Sequence, residues 1–485
     1  MIGIRSYGAY IPRYRLDRKK IFGAMGWLNS ATIALSKGEK AVANFDEDSI
    51  TMAVAAAMNC IGRIDRKDLD GVYFGSTSMP FLERQNAGII AAALGMDESV
   101  RSADFSGSLK SGTAALISAL DAVGSGGAKN MVACASDCRL GKMGSPQEML
   151  FGDAATAFLV SDEDIVAEYK GSFSVTCDIG DHVRGKNTQF DRQWEDRWIR
   201  DLGYENLIPK AVNGLLAKFD LAADDFSKII YSCYYDDERK KLNKKLGLDP
   251  ERVQDIMMSE IGEMGSAQSL VMLAGALETA KPGDKIMVVS FGSGCDALYF
   301  EVTDKINDLK NIQGVSYHLA NRAELDRYEK YLAWRHIIPI DTGLRGEEDL
   351  STRWSFMFRV SRAALAFCGS KCKKCGTPQF PPQRVCVNPS CGAIDEMEDY
   401  IFSTKTGKIG SFTGDNLAAS MNPPQIYGNI FIDGGGKVMM NFTDCDLDSL
   451  KVGMPLYFSF RIKYFDSRRD IYRYFWKAIP MKEVK

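Results

Sequence analysis

The chain has 485 residues, a length that asks for two or three domains. Its 45% hydrophobic and 25% charged residues are those of an ordinary globular protein, and a net charge of -3 argues against the basic stripe of a nucleic-acid binder. No run approaches the roughly 18 apolar residues of a membrane span, and Met1 to Arg5 enters a strand-like pattern without signal-peptide architecture, so a cytoplasmic protein is expected.

Residues 2–10 read as a strand that stops at Ile11-Pro12, and a helix begins between Leu16 and Phe22. Asp48-Ser49 caps an Ala/Met/Val-rich helix from Ile50 to Ile61. Gly71-Val72-Tyr73-Phe74-Gly75-Ser76, an apolar run closed by small residues, reads as a buried strand. In Asp104-Phe105-Ser106-Gly107-Ser108-Leu109-Lys110-Ser111-Gly112-Thr113-Ala114-Ala115-Leu116, small flexible residues feed straight into a helical run that reaches Val123. Such a turn aims free N–H groups and the positive end of the helix dipole at whatever it carries, which makes it a natural place for a nucleophile or an anion. Neither Cys nor His falls between Ile61 and Ala133. Ser108 is expected to cap the helix at Leu109, with attack on a thioester as its other role.

Strands are expected over Lys129 to Asp137 and Ala155 to Val160. The same order of helix, strand, Ser/Gly turn and strand recurs about 155 residues later, as a helix from Gly265 to Ala280, a strand from Lys285 to Ser290, the turn Gly292-Ser293-Gly294 and a strand from Ala297 to Val302. A duplicated α/β unit is the simplest account. Between the copies, residues 181–198 hold three arginines, two tryptophans and four acids. They read either as a grip for an anionic ligand or partner chain, or as an exposed amphipathic helix with internal ion pairs. A helix follows from Leu207 to Phe219, and Ile229 to Tyr235 reads as a strand running into Lys244-Lys245-Leu246-Gly247.

These motifs resemble those of HMG-CoA synthases and related thiolase-superfamily condensing enzymes. Ser111-Gly112-Thr113-Ala114-Ala115-Leu116 matches the end of the family's nucleophile turn, and Ser290-Phe291-Gly292-Ser293-Gly294 matches its Ser-Tyr-Gly-Ser-Gly loop, which implies a substrate-binding role for Gly292, Ser293 and Gly294. The resemblance implies a thiolase fold built from two such halves and a coenzyme A thioester as ligand or substrate. It places Leu109 at the family's acyl-accepting Cys, Thr77 at its catalytic Glu, Ser232 at its His, and Gly262-Glu263 at the Gly-Asn pair that helps hold the acyl oxygen. All the reactive side chains are therefore changed.

Residues 305–352 form a charged connector with a helix expected from Leu319 to Arg335, flanked by His318 and His336, both read as solvated. Arg353 to Phe367 reads as an aromatic-rich helix. Cys372-Lys373-Lys374-Cys375 and Cys386-Val387-Asn388-Pro389-Ser390-Cys391 are two close cysteine pairs separated by ten residues, the pattern of a closed structural zinc site in two knuckles. Cys368 is an extra candidate that this geometry does not need. The other cysteines are expected to be reduced. Strands over Lys408 to Thr413, Tyr427 to Ile432, Lys437 to Phe442 and Leu456 to Tyr464, with Asp433-Gly434-Gly435-Gly436 as a hairpin turn, suggest an OB-like barrel. Residues 353–480 resemble the zinc-ribbon plus OB-fold domain that accompanies thiolases as a companion subunit.

The expected division is 1–165 and 166–305 as thiolase-like halves, 306–352 as a helical connector, 353–400 as helix and zinc ribbon, and 401–485 as the OB-like barrel. Condensation needs an acyl-accepting thiolate, a base and an oxyanion pocket, and here only the backbone frame is retained. The expected function is therefore a subunit that binds coenzyme A, shapes a channel or acts as a scaffold for a thiolase-type catalytic chain. Its assembly is expected to be a homodimer or hetero-oligomer. The alternative is an autonomous acyltransferase using Ser108 with Glu263 or His182 as base. A nucleic-acid-binding role for the ribbon and barrel is the third reading, disfavoured by the charge.

Overall fold

The computed structural model describes every residue except 63, 194, 310–311, 347–351 and 482–485. Two compact units emerge, one made of residues 1–44, 48–90 and 98–331, the other of 45–47, 91–97 and 332–485.

The first unit is organised around a nine-stranded mixed sheet. Its strands lie in the order Arg101–Phe105, Gly71–Gly75, Met131–Asp137, Ala154–Ser161, Gly3–Tyr10, Ala167–Thr176, Gly294–Val302, Lys285–Phe291, Lys228–Tyr231. The expected duplication is visible in the pairing. Gly71–Gly75 runs parallel to Met131–Asp137, which turns antiparallel into Ala154–Ser161. Lys228–Tyr231 likewise runs parallel to Lys285–Phe291, which turns antiparallel into Gly294–Val302. The halves meet where Gly3 and Ile4 pair with Glu168 and Ala167.

Each half contributes a central helix, Ser111–Gly124 and Gln268–Leu277, and their apolar faces share one core containing Leu116, Ala119, Leu270 and Leu273. Gly112 is required at this contact, since a Cβ there would overlap the carbonyl oxygen of Ser266. The helix Ser49–Ile61 begins as expected. The Asp48 carboxylate accepts from Thr51 N at 2.8 Å and Asp48 N donates to Thr51 Oγ1 at 2.8 Å, a reciprocal cap.

Two expectations for the connector need correction. The helix read over Leu319 to Arg335 is broken into Val315–Ala320 and Tyr328–Trp334, because Ala323–Glu324 leaves the helix to pair in parallel with Tyr14 and Arg15. A backbone ladder bond there replaces the helical one. His318 is not solvated. It is buried edge-on to Tyr10 and Tyr317, its Nε2 donates to Ala9 O at 2.9 Å, and burial pushes its pKa down to about 4. His336 is exposed, in accord with the sequence.

In the second unit, Cys368–Cys372 pairs with Pro378–Gln379 and Met397–Ile401 to form the ribbon sheet. Five longer strands, Thr406–Asp415, Gln425–Ile432, Lys437–Asn441, Pro455–Asp466 and Ile471–Pro480, form the OB-like region. The first strand is central, and a parallel bridge from Phe442 to Ala478 joins the third strand's end to the fifth, closing the sheet on itself. The fifth strand had no sequence assignment. Its core is aromatic, with Phe367 surrounded by Phe380, Phe402, Phe458 and Phe475 at centroid distances from 4.9 to 5.8 Å. The aromatic helix expected over 353–367 is two short pieces, Trp354–Arg359 and Ser361–Leu365, in which no residue is buried.

A buried charge cluster anchors residues 45–47 in this unit. Asp46 pairs with Arg461 at 3.2 Å and Lys477 at 2.8 Å and accepts from Thr443 Oγ1 at 2.9 Å, while Arg461 also meets Glu47 and Asp444. Burial alone would raise the Asp46 pKa, but Lys477 and Arg461 outweigh it and hold it below 3.8. A carboxyl held below its free value stabilises the fold at every pH above that value. The contribution is lost as pH falls through the lower, folded value. Asp46→Ala leaves two cations buried without this partner and is expected to cost about 3–5 kcal/mol in denaturant melts at neutral pH. The difference from the parent should shrink in acid.

Candidate functional site

The turn before the helix Ser111–Gly124 differs from expectation in one detail. The helix starts at Ser111 and not at Leu109, its N-cap position is Lys110, and no side chain caps it. After Gly107, at a φ of 85°, a turn closed by Ser111 N donating to Ser108 O at 3.0 Å precedes the helix, so Ser108 lies two residues too early to be the cap. Its Oγ donates instead to Gly292 O at 2.6 Å, stitching the turn to the Ser290–Gly294 loop. Contact here is close. A Cβ on Gly292 would stand 2.8 Å from Leu109 N and 2.9 Å from Leu109 Cβ, which only glycine avoids. The loop then turns through Ser293 and Gly294, both at positive φ, and Ser293 O accepts from Cys177 N at 3.3 Å. Lys110 Nζ and Thr113 Oγ1 both reach the Asp296 carboxylate, at 3.0 and 2.9 Å. Leu109, matched to the family's Cys, is thus framed by backbone and supplies only hydrocarbon.

The matched positions around it converge on a second carboxylate. Asp137, at the end of its strand, accepts from Ser76 Oγ, Thr77 N, Thr77 Oγ1, Ser78 N, Ser78 Oγ and Ser266 N, all between 2.7 and 3.0 Å. Burial raises its pKa, yet Arg139 and these donors bring it below the ordinary carboxyl value. Asp137 therefore binds both halves of the sheet at one point, and Thr77 is held as a spacer. Ser232 Oγ accepts from Phe291 N at 3.2 Å.

Glu263 is not a poised base. Its carboxylate forms an ion pair with the Arg139 guanidinium and accepts from Gly265 N at 3.0 Å. Arg139 also meets Asp191 at 3.3 Å and lies 3.9 Å above the Phe151 ring. His182 Nδ1 sits 3.2 Å from Asp181 Oδ2. The Ser108 hydroxyl engages Gly292 O and Lys110 N, the Glu263 carboxylate engages Arg139 and Gly265 N, and His182 faces Asp181, so each of the three meets a different partner. Sequence reasoning passed over Asp137 and Arg139. The signal was present, because an acid and a cation that close an otherwise apolar strand must find partners.

The four cysteines expected to hold metal do meet. The Sγ atoms of Cys372, Cys375, Cys386 and Cys391 all lie within 4.8 Å of one another, with Cys372 to Cys391 at 3.8 Å and Cys375 to Cys386 at 3.5 Å. A tetrahedral shell with Zn–S bonds of about 2.3 Å has S–S edges of about 3.8 Å, so the thiols fit that ion. Gly376 and Gly392 follow two of them at positive φ, where each knuckle turns back. Cys368 lies outside the cluster.

Comparison with known proteins agrees with both parts. Residues 216–299 match the C-terminal domain family of 3-oxoacyl-[acyl-carrier-protein] synthase III, and residues 365–395 match the rubredoxin-like zinc ribbon domain of ChsH2. The hydroxymethylglutaryl-CoA synthase of Methanopyrus kandleri is 35% identical over 315 residues, covering 64% of this chain and 90% of that protein. The enzyme of the same name from Thermococcus onnurineus is 33% identical over 340 residues, 68% of this chain and 95% of that one. The chain belongs to the hydroxymethylglutaryl-CoA synthase family. Among solved structures, an HMG-CoA synthase complexed with CoA superposes with a TM-score of 0.62 at 19% identity, over 73% of this chain and 94% of that one. Family membership makes this an acyl-CoA condensing type of protein with a zinc ribbon added. Among the described residues no helix is long and apolar enough to cross a membrane.

Proposed function

We propose that this chain is the non-acylating subunit of a complex that forms or cleaves carbon-carbon bonds in acyl-CoA compounds. In this reading it binds coenzyme A and shapes the site, while a separate thiolase-type chain supplies the thiol. The observation that carries this is the pairing of a retained frame with missing chemistry. The Gly292 loop still packs on the turn, but the matched nucleophile position is Leu109. A hydrocarbon cannot accept an acyl group. The neighbouring functional groups are already committed, Glu263 to Arg139 and the Ser108 hydroxyl to Gly292 O, which weakens the autonomous reading with Ser108 as nucleophile.

Two surfaces support assembly with another chain. Arg101–Phe105 is an edge strand of the large sheet, and an unpaired edge is a template for a strand of a second subunit, the same or different. In the other unit, Trp354 and Phe358 share one helix face and are 54% and 81% exposed. The zinc is proposed to be structural, since four thiolates leave no open coordination position. Incubation with acetyl-CoA followed by intact-mass measurement tests the reading. No covalent adduct is expected. An acyl group on Ser108 would overturn the proposal and favour autonomous catalysis.

A further inference from the structure

We infer that residues 181–193 form an internal plug over the site and so decide which part of a coenzyme A thioester the chain can read. The inference rests on the proposed function and adds to it a specificity determinant.

The segment is not the exposed amphipathic helix that its charges allow. Val183 and Arg192 exchange backbone hydrogen bonds at 2.8 and 2.9 Å, folding it into a closed loop. From that loop three side chains reach three places far apart in sequence. Arg184 donates to the carbonyl oxygen of Thr77. Asp191 pairs with Arg184 at 3.2 Å and with Arg139 at 3.3 Å, and Arg139 in turn holds Glu263. Gln193 Nε2 donates to the hydroxyls of Tyr234 and Tyr235 at 2.8 and 3.3 Å, while its Oε1 accepts from Gln147 at 3.1 Å. Asp191 N also donates to Leu140 O at 2.9 Å.

Thr77, Glu263 and the tyrosines that follow Ser232 have one thing in common. They are, or adjoin, the residues matched to the family's Glu, Asn and His. A surface helix has no reason to reach all of them, directly or through Arg139, whereas a segment lying across the condensation site must. The closed position is also the resting one. Asp191 and Arg139 are each only 2% exposed, and separating a pair buried to that degree leaves a bare charge on either side. An acyl group would have to displace these contacts to enter. The nucleotide and pantetheine portions of the ligand make no such demand, so the ligand class assigned to the plugged chain is coenzyme A itself, read without regard to the acyl group.

Titration calorimetry with coenzyme A, acetyl-CoA and hexanoyl-CoA tests this, alongside the double variant Arg184→Ala/Gln193→Ala, whose changes fall on side chains outside the deepest part of the cluster. The parent is expected to bind all three within about twofold, and the variant to separate acetyl-CoA from hexanoyl-CoA by at least about tenfold, as a hydrophobic pocket does once chain length is felt. Hydrogen exchange gives a readout that needs no ligand: the amides of Val183, Asp191 and Arg192 are expected to exchange slowly in the parent and faster in the variant. Affinity that already rises with acyl length in the parent, or fast exchange at these amides, overturns the plug. If the parent binds none of the three, the variant decides, with gained acyl-CoA binding supporting the plug and no gain overturning it. An acyl adduct on the isolated chain would instead defeat the proposed function, so the two failures are told apart.

Discussion

Cys386→Ser is expected to unfold the ribbon while the nine-stranded unit keeps its own melting transition. The reason lies in how little else holds the ribbon. Its buried apolar cluster consists of Cys372, Cys386 and Ala393, with Cys391 and Met397 packed at the edge, so the ligands are themselves the core. In small domains of this kind the metal contributes about 10–16 kcal/mol of apparent binding free energy, which becomes folding free energy. Three thiolates and a hydroxyl cannot close the same shell. Metal analysis should give one zinc per parent chain and almost none in the variant. Hydrogen exchange over 368–401 should rise to unprotected rates, and a strong chelator should reproduce both effects in the parent. A variant that kept its metal and its protection would show that the ribbon stands without the fourth thiol.

Carbon-carbon bond formation from acetyl-CoA by the isolated chain is expected to stay at the uncatalysed level. Adding a thiolase-type subunit of the kind proposed above is expected to raise the rate by at least about 10⁴-fold. Losses of that size follow removal of a nucleophile that acts as a unit with its base. In the proposed reading both are replaced at once, because the resemblance sets Leu109 at the thiol position and Thr77 and Ser232 at the proton-transfer positions. The measurement is product formation with each chain alone and with both. Equal rates with and without the second subunit would remove the reason for invoking one.

Much of this was readable from the sequence because it depended on local pattern. The turn at Ser108 to Leu116, the strand-turn-strand around Gly292, the capped helix after Asp48 and the two cysteine knuckles are each set by neighbours within about a dozen residues of chain. What escaped depended on distant partners. His318 looked solvated because its own segment is polar, yet Ala9, Tyr10 and Tyr317 enclose it. The helix over Leu319 to Arg335 was lost to a strand pairing with residues some 300 positions earlier. Ser108 was displaced from its cap by the extra turn after Gly107, and its hydroxyl found Gly292 O instead. The site network was hidden for the same reason. Asp137, Arg139, Asp191 and Glu263 have meaning only as a set, and no spacing rule joins them.

The carboxylates at 46 and 47 are satisfied by cations that the ribosome does not deliver until more than 400 residues later. A truncated gene product ending near residue 330 would carry two acids whose counterions had never been made. Shortening the gene there would therefore also leave residues 45–47 without the unit in which Asp46 and Glu47 are buried.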